Sequence, residues 1–363
     1  MRCYSLEIQL SKPVFTEEMK NAALEAIQNE FFVLGDSVYK FEEEFARYIG
    51  TKYAISVNSG TSALSLSLIA LGTKHGDEIM TTPMSFIATA NAIIHANGTP
   101  IFSDIEKDTG NINANLIKDK DIPDNVKGII PVHLYGNPCN MDKIMELKEK
   151  GLFIVEDACQ AHGAEYKDKK VGSIGDIGCF SFYSTKNMTV GGDGGMVTTN
   201  DEHVADRIRI LRDCGRINKY EHNMIGYTAR LNTISAAIGR VQLRYLDEWN
   251  EKRRYIADIY KKNLPQNILL KENGEHVYHI FAIRSEKRDG IIQHLKNNGI
   301  STGIHYPIPI HLQPIYKKLF EYKEGDYPNA EQFSKEIISL PMFPEMTKDQ
   351  AMFICEKISD MIT

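Results

Sequence analysis

The sequence predicts an α/β fold with two domains, and three observations support this prediction. Short apolar runs alternate with amphipathic stretches from about residue 52 to residue 200, as in a sheet covered by helices. Several of these runs lack a clean alternation of polar and apolar residues, which is typical of strands buried on both faces. The chain has 363 residues, which is enough for roughly two domains.

The apolar runs place the predicted strands at residues 53–57, 78–82, 100–104, 128–133, 153–157, 179–183 and 195–199. Amphipathic periodicity places helices at residues 16–29, 37–49, 61–71, 85–96, 141–150, 201–212 and 232–260. A change of character at residues 262–266 indicates a smaller C-terminal domain. In it we predict a strand at 277–284, a helix at 289–298, a proline-rich loop at 306–314, and helices at 330–339 and 347–361. We assign residues 1–249 to the large domain and 250–363 to the small one.

The composition excludes several classes of protein. The net charge of −6 argues against a general nucleic-acid binder or a basic membrane-surface protein. No run approaches the ~18 apolar residues of a membrane span, and the N-terminal residues lack the apolar region of a secretion signal. The six cysteines are scattered without zinc-site spacing, so we expect no metal, and thiols kept in a reducing compartment. These features predict a cytoplasmic protein.

Lys186 is the first candidate for chemistry. It follows an apolar strand within a segment of small residues, and a glycine-rich run at 191–195 comes soon after it. Desolvation disfavours an ammonium ion, so a lysine enclosed in this way is suited to form a Schiff base with an aldehyde. Most lysines are solvated surface charges, so the assignment depends on what other segments supply.

An anion-binding turn is predicted at residues 58–64. There a strand ends, Gly60 permits close approach of the backbone, and Thr61 and Ser62 open a helix whose free N–H groups favour a negative charge. A capped helix start that needs no ligand fits these residues equally well. The spacing of a P-loop is absent.

Two acids, Glu156 and Asp157, end the apolar strand at 153–157, and α/β sheets bind ligands at the carboxyl ends of their strands. A carboxylate there can hold a pyridinium nitrogen in its charged form and make the ring an electron sink. Strand alternation places the two acids on opposite faces, so only one of them can serve. Periodicity does not say which one, and a strand-end acid is also a common surface feature.

Several further segments occur in a recognisable order, at residues 34–35, 41–42, 82–89, 131–136, 156–164, 180–197, 278–284, 305–316 and 340–344. Together with residues 58–64 they resemble the DegT/DnrJ/StrS family of pyridoxal-phosphate-dependent sugar aminotransferases. The resemblance runs nearly end to end. It implies fold type I of the aspartate aminotransferase superfamily: a large domain with a mixed, mostly parallel sheet covered by helices, and a smaller α+β domain. The implied cofactor is pyridoxal 5′-phosphate.

The resemblance also assigns roles to individual residues. Lys186 matches the lysine that holds the cofactor as a Schiff base, and Asp157 matches the acid on the pyridine nitrogen. Gln160 matches a glutamine that bonds the ring hydroxyl, and Phe86 matches the aromatic residue that stacks on the ring. The residues that match phosphate ligands are Thr61, Ser62 and Ser181.

Three positions depart from the family pattern. Asp193 stands where many relatives have glutamate, and Ser184 stands where proline is common. Thr228 replaces an asparagine that reaches the phosphate across a dimer interface; it keeps a hydroxyl with less reach, and we retain it as a candidate cofactor ligand. Arg230 lies nearby and is either a helper at this site or a structural ion-pair residue.

The resemblance implies a ping-pong transamination with L-glutamate as the amino donor and a nucleotide-linked keto sugar as the acceptor. Lysine at position 186 favours transamination, since relatives with histidine there perform dehydration-type sugar chemistry. The candidate sugar contacts are His305, Tyr306 and His311, of which His311 is equally a loop-packing residue. We expect a homodimer with shared active sites and only small-molecule substrates as other partners.

Other functions stay open from the sequence. The acceptor can be a keto-cyclitol instead, and some proteins of this family were first taken for regulators. A non-catalytic regulatory relative should have lost Lys186 or Asp157, and both are present. A desulfurase would need an exposed reactive cysteine on a mobile loop, whereas Cys159 and Cys179 lie in strand-rich segments.

Overall fold

The computed structural model describes residues 7–117 and 122–362. Its helices are α1 (Glu17–Asn29), α2 (Asp36–Ile49), α3 (Gly60–Ala70), α4 (Ala88–His95), α5 (Met141–Lys148), α6 (Glu202–Arg212), α7 (Thr233–Asn263), α8 (Arg288–Asn297), α9 (Pro314–Phe320), α10 (Pro328–Glu336) and α11 (Lys348–Ile362). Its strands are β1 (Tyr53–Val57), β2 (Glu78–Thr81), β3 (Thr99–Phe102), β4 (Val126–Ile129), β5 (Phe153–Asp157), β6 (Glu165–Tyr166), β7 (Lys169–Lys170), β8 (Ile177–Ser181), β9 (Gly195–Thr199), β10 (Phe281–Arg284) and β11 (Ile337–Leu340).

A mixed sheet forms the centre of the larger domain. In the described part of the chain its seven strands pair in the order β1-β9-β8-β5-β4-β2-β3. The five strands from β8 to β3 are parallel, whereas β9 runs antiparallel to both of its neighbours. The predicted fold class, with a mostly parallel sheet covered by helices, is confirmed.

Helix α3 shows how the sequence fixes an element beside this sheet. Its residues are small or apolar and none of them is charged, so nearly the whole helix can be buried. It packs against α4, α6 and β8. Gly60 begins the helix so close to the end of β8 that a Cβ atom added to Gly60 would lie 2.8 Å from the Cβ atom of Ser181. The N-terminus of α3 therefore meets the carboxyl end of β8.

The smaller C-terminal domain has a core of its own. β10 and β11 form an antiparallel pair, and apolar residues of this pair cluster with residues of α7, α8 and α11. Members of the cluster include Ile256, Tyr260, Ile283, Leu295, Ile338 and Ile354. Helix α7 is continuous from Thr233 to Asn263 and so passes through residue 250, where we placed the domain boundary. That boundary stays a prediction.

Some observed elements differ from the predicted ones, most clearly in the C-terminal domain. The helix predicted at 330–339 is wrong in its second part, because α10 ends at Glu336 and β11 follows at once. Ile337 and Ile338 are β-branched and favour a strand, which pairs with β10. The strand predicted at 277–284 begins only at Phe281. Helix α9 was not predicted, although Pro314 at its start is a typical first residue of a helix.

The structure also bears on the state of the cysteines and on membrane-spanning helices. Cys139, Cys159, Cys179, Cys214 and Cys355 are free, and Cys3 lies outside the described residues. Among residues 7–117 and 122–362, no helix is both long enough and apolar enough to cross a bilayer.

Candidate active site

One pocket gathers most of the predicted site residues at the carboxyl ends of β5 and β8. Its volume of about 560 Å³ is within the ~300–1,000 Å³ typical of small-molecule sites. The predicted residues that line it are Thr61, Phe86, Asp157, Gln160, Ser181, Lys186, His305 and Tyr306. The lining also includes Ser59, Gly60, Ser85, Thr89, Cys159, Tyr183, Asp193 and His279. The structure thus brings together residues that are far apart in sequence.

Lys186 lies in a turn after β8, which is closed by a hydrogen bond from its N–H to the carbonyl of Tyr183 at 2.9 Å. Burial lowers the pKa of the Lys186 amine, and this effect outweighs the nearby Cys159 and Asp157, which favour the protonated form. The neutral amine is the nucleophilic form, so the pocket prepares Lys186 for attack on a carbonyl.

The structure separates the two acids that end β5. The Glu156 carboxylate is fully buried away from the pocket. It accepts hydrogen bonds from the backbone N–H groups of Gly172, Ile174 and Gly175 at 2.7–2.9 Å. Its Oε2 atom also lies 3.0 Å from Nε2 of His133. Because Nδ1 of His133 accepts from the backbone N–H of Cys139, the ring proton is on Nε2 and points at Glu156. Every side of this carboxylate is occupied.

Asp157 faces the pocket. Its Oδ1 accepts from the backbone N–H of Cys159 at 3.2 Å, and its Oδ2 accepts from the hydroxyl of Thr89 at 2.8 Å. The side chain is only 4% exposed, yet it borders the pocket with Lys186. Strand alternation did not say whether Glu156 or Asp157 faces the ligand site. In the structure Asp157 lines the pocket and Glu156 does not, so Asp157 is the acid that a ring in this pocket can reach.

The turn at 58–62 has the helix cap that the sequence allowed. Ser59 caps α3 by accepting from the backbone N–H of Ser62 at 3.1 Å, and the Ser62 hydroxyl donates to the Asn58 side chain at 2.6 Å. Ser62 therefore takes part in the cap and does not line the pocket, whereas Thr61 does. The glycine-rich run, which we expected near Lys186, closes on this turn: a Cβ atom on Gly195 would lie 2.4 Å from the Ser59 carbonyl oxygen.

Gln160 is oriented by the backbone. Its Oε1 accepts from the N–H of Tyr135 at 2.8 Å, which leaves Nε2 to donate, and Nε2 lies 3.3 Å from the hydroxyl of Tyr306. The ring of Phe86 is 56% exposed and its centre lies 6.2 Å from that of Tyr306. Two aromatic rings and a fixed amide donor thus line the same pocket as Asp157.

Two histidines complete the pocket. Nδ1 of His305 lies 2.8 Å from the hydroxyl of Ser339, and the hydroxyl of Tyr135 donates to the His305 carbonyl. Burial lowers the pKa of His305 and of His279, and the charge of Lys186 adds to the effect in both cases. Sequence reasoning missed His279, because it lies in an apolar segment that predicted a strand.

His311 and Thr228 lie outside the pocket lining. His311 is fully buried, with Nε2 3.1 Å from Oε1 of Glu331 and its ring edge-on to that of Tyr327. It holds its loop, which is the structural alternative that we stated for it. Thr228 is exposed, with its hydroxyl 3.4 Å from the Cys214 sulfur. Arg230 forms an ion pair with Asp213 at 2.6 Å, which fits the structural alternative that we stated for it.

A lysine with a lowered pKa and an acid line one pocket beside the start of α3, an arrangement that fits a pyridoxal-phosphate enzyme of fold type I. Comparison with known proteins gives its family: the chain belongs to the DegT/DnrJ/EryC1/StrS aminotransferase family, whose profile matches residues 13–359. It is therefore a transaminase that depends on pyridoxal 5′-phosphate, and its relatives act on sugars.

Three relatives show the extent of the similarity. The dTDP-3-amino-3,4,6-trideoxy-alpha-D-glucose transaminase of Streptomyces venezuelae is 36% identical over 98% of this chain and 95% of that protein. The GDP-perosamine synthase of Escherichia coli O157:H7 is 37% identical over 97% of this chain and 98% of that protein. The solved PLP form of the putative sugar aminotransferase Spr1654 from Streptococcus pneumoniae has a TM-score of 0.91 and 27% identity, covering 98% of this chain and 100% of that one.

The described residues fit the cofactor of this family. Gly60 packs so closely against Ser181 and Cys159 that an added Cβ atom would clash with both, which brings the start of α3 next to Ser181. Free N–H groups at the start of α3 and the hydroxyls of Thr61 and Ser181 suit a phosphate there. Asp157 and Lys186 border the same space and suit a pyridinium nitrogen and an aldehyde carbon.

Proposed function

We propose that this aminotransferase moves the amino group of L-glutamate to the carbonyl of a nucleotide-linked keto sugar in a ping-pong reaction. The observation that carries the proposal is the placement of Lys186 and Asp157 on one pocket, beside the turn that begins α3. The names of two relatives, which contain dTDP-linked and GDP-linked amino sugars, support a nucleotide-linked acceptor. Because those nucleotides differ, the proposal covers the class of acceptor and not one nucleotide.

In the proposed site each residue has a distinct task. Bound pyridoxal phosphate supplies the electron sink for a carbanion. Asp157 would hold the proton on the ring nitrogen, Gln160 would donate to the ring hydroxyl, and Phe86 would stack on the ring. Lys186 would hold the cofactor through its Nζ. The neutral Nζ of Lys186 would also be the base that takes the proton from the α-carbon of the donor.

The substrate side of the pocket is proposed to lie at His305, Tyr306 and His279. Tyr135 and Ser339 hold His305 in place, and Gln160 links Tyr306 to the cofactor side. His279 adds a second imidazole to the pocket that Lys186 lines. His311 acts on the sugar only indirectly, because it is enclosed by Glu331 and Tyr327 and does not reach the pocket.

We further propose a homodimer. Large apolar side chains are exposed on two segments, with Phe31 84% and Ile225 91% exposed. Thr233, at the start of α7, holds the first of these segments, since its N–H donates to the carbonyl of Phe32 and its hydroxyl to the carbonyl of Phe31. An apolar patch of this kind marks an interaction surface. A second copy of the chain suits it, because Thr228 lies beside Ile225 and would then face the partner's pocket and not its own.

Sedimentation tests the dimer. The wild-type protein should sediment as a dimer, and Phe31→Glu should shift it towards monomer and reduce turnover. Tyr255→Glu changes another exposed aromatic residue, on α7, and serves as the control. A wild-type monomer with full turnover would contradict both the dimer and a role of Thr228 in the partner's site.

An acceptor screen tests the proposed reaction. The enzyme is incubated with L-glutamate and a set of keto sugars linked to dTDP, GDP or UDP, with a keto-cyclitol as the alternative acceptor. We expect 2-oxoglutarate to appear in equal amount with one aminated nucleotide sugar, and no product with Lys186→Ala. Turnover of the keto-cyclitol alone would replace the proposed acceptor. Release of 2-oxoglutarate without any aminated product would confirm the donor and reject the tested acceptors.

A further inference from the structure

Asp157 is held by a chain of two hydroxyl groups. Its Oδ2 atom lies 2.8 Å from the hydroxyl of Thr89, which lies 2.8 Å from the hydroxyl of Ser85. All three side chains border the pocket and are at most 4% exposed. Polar groups that are buried to this degree need partners, and these three satisfy one another.

The direction of the hydrogen bonds follows from the chemistry of the groups. An ionised carboxylate only accepts, so the single hydroxyl proton of Thr89 must point at Asp157. Thr89 then has no proton left for Ser85, and Ser85 must donate to Thr89. Both hydroxyl dipoles therefore point towards the carboxylate, and each bond strengthens the other.

These hydroxyls have no other local task. Serine and threonine near the start of a helix usually cap it by accepting from backbone N–H groups. Helix α4 begins at Ala88 with Ile87 at the cap position, and no side chain caps it. The Thr89 hydroxyl turns instead to Asp157, which lies 68 residues further along the chain, and the Ser85 hydroxyl turns to Thr89.

The backbone on either side of Asp157 is fixed independently. Its N–H donates to Pro131 and its carbonyl accepts from His133, so β5 cannot move here without breaking the sheet. Only the side-chain torsions of Asp157 stay free. The backbone N–H of Cys159 restrains one oxygen and Thr89 restrains the other.

We propose that Thr89, backed by Ser85, is a positioning residue that orients the Asp157 carboxylate towards the ring nitrogen of the cofactor and keeps that carboxylate ionised. The proposal rests on the proposed role of Asp157. A donor to the charged form of a carboxylate favours that form, so the shared proton stays on the ring nitrogen. The same loop presents Phe86, so one segment sets both the ring's charge partner and its stacking partner.

The test compares two substitutions at one position. Thr89→Val keeps the shape and loses the hydroxyl, whereas Thr89→Ser keeps the hydroxyl and loses a methyl group. Each apo-protein is titrated with pyridoxal 5′-phosphate by absorbance, and the visible band of the bound cofactor is followed against pH. Loss of a hydrogen bond to a charged group is expected to weaken cofactor binding about tenfold to a hundredfold in Thr89→Val. It should also shift the pH at which the band changes, and lower kcat without raising the KM for the acceptor.

If Thr89 acted only by packing, the order of cofactor affinity of the two variants would be reversed. Removal of a buried methyl group leaves a cavity, so packing alone would make Thr89→Ser the weaker binder and leave Thr89→Val near wild type. The proposal predicts the opposite: Thr89→Ser binds more tightly than Thr89→Val and keeps the wild-type band. Urea unfolding of both variants shows that they fold.

The same substitution, made in the Asp157→Asn variant, separates this proposal from the proposed function. In Asp157→Asn the acceptor is neutral, so the further loss from Thr89→Val should fall to less than about threefold. If Asp157→Asn alone leaves cofactor binding and the visible band unchanged, the role of Asp157 fails and this proposal fails with it. If Asp157→Asn changes both and Thr89→Val changes neither, only the role of Thr89 is overturned.

Discussion

Glu156 and Asp157 are neighbours at the end of β5, yet the structure gives them opposite surroundings. On the sealed side, three backbone N–H groups and His133 enclose Glu156. On the pocket side, Asp157 has one backbone donor and one hydroxyl donor, and it borders a space that a ligand can enter. The comparison teaches that the chemistry of a carboxylate is decided by what remains unoccupied around it. The first acid can only hold the fold together, and the second can act on a ligand.

Lys186→Ala should have the largest effect on the pocket side. The substitution removes both the covalent attachment of the cofactor and the base that moves the proton, so turnover should fall on the order of 10⁴-fold or more. The free energy of unfolding should change little, because the amine holds no structural partner of the kind that encloses Glu156. Steady-state kinetics and urea unfolding measure the two quantities. A variant with normal turnover would contradict the assignment of Lys186.

Asp157→Asn should lower kcat by about 10²- to 10³-fold, since a neutral amide cannot hold the charge on the ring nitrogen. The protein should still fold, because the amide oxygen can accept from one of the two donors, either Thr89 or the N–H of Cys159. The matched control is Glu156→Gln, an equal loss of charge one residue away. Equal losses of kcat in the two variants would mean that the pocket side and the sealed side do not differ in function.

Glu156→Gln should act mainly on stability. A neutral amide in this sealed site is a weaker acceptor and points an N–H₂ group at backbone donors, so we expect a loss of about 3 kcal/mol in the free energy of unfolding. The kcat of the folded fraction should stay within about tenfold of wild type. Denaturant unfolding at neutral pH checks the first value. Unchanged stability would show that the sealed side is not the structural element that we describe.

His162 extends the comparison to a pH dependence. It is fully buried beside the rings of Phe180 and Phe182, and burial lowers its pKa from 6.5 to about 3. The folded protein thus binds fewer protons than the unfolded chain between these values, so stability is complete above pH 6.5 and is lost as the pH falls. His162→Leu should reduce the slope of unfolding free energy against pH by up to about 1.4 kcal/mol per pH unit.

The control for this pH dependence is His75→Leu, which changes an exposed histidine. This variant should have the same slope of unfolding free energy against pH as the wild type between pH 5 and pH 6.5. If His162→Leu and His75→Leu give the same slope, the enclosed imidazole does not take up the proton on unfolding.

The sequence predicted the parts of this protein that depend on local pattern. β1, β5 and β9 have the predicted bounds, because each is an apolar run that ends at turn residues. The resemblance of ordered segments predicted the fold, the cofactor and a set of site residues that mostly line one pocket. These results needed no knowledge of contacts between distant residues.

The remaining features depend on such contacts. The side of β5 that faces the pocket is decided by the loop at 172–175, which closes over Glu156. The side chain of His311 contacts Glu331 and does not line the pocket. The hydroxyl of Ser62 donates to Asn58 and does not line the pocket either. Thr89 is connected to Asp157 across 68 residues of sequence. Periodicity carries no information about partners of this kind, so sequence reasoning alone could not choose among them.

The visible absorption spectrum of the purified protein, recorded before and after addition of L-glutamate, tests the central claim most directly. We predict a yellow band from the cofactor bound to Lys186, which bleaches when the donor transfers its amino group. Lys186→Ala should lack this change, whereas Glu156→Gln should show it. A yellow wild-type protein that does not respond to L-glutamate would contradict the proposed donor. A protein that stays colourless with added pyridoxal 5′-phosphate would contradict the account of the pocket itself.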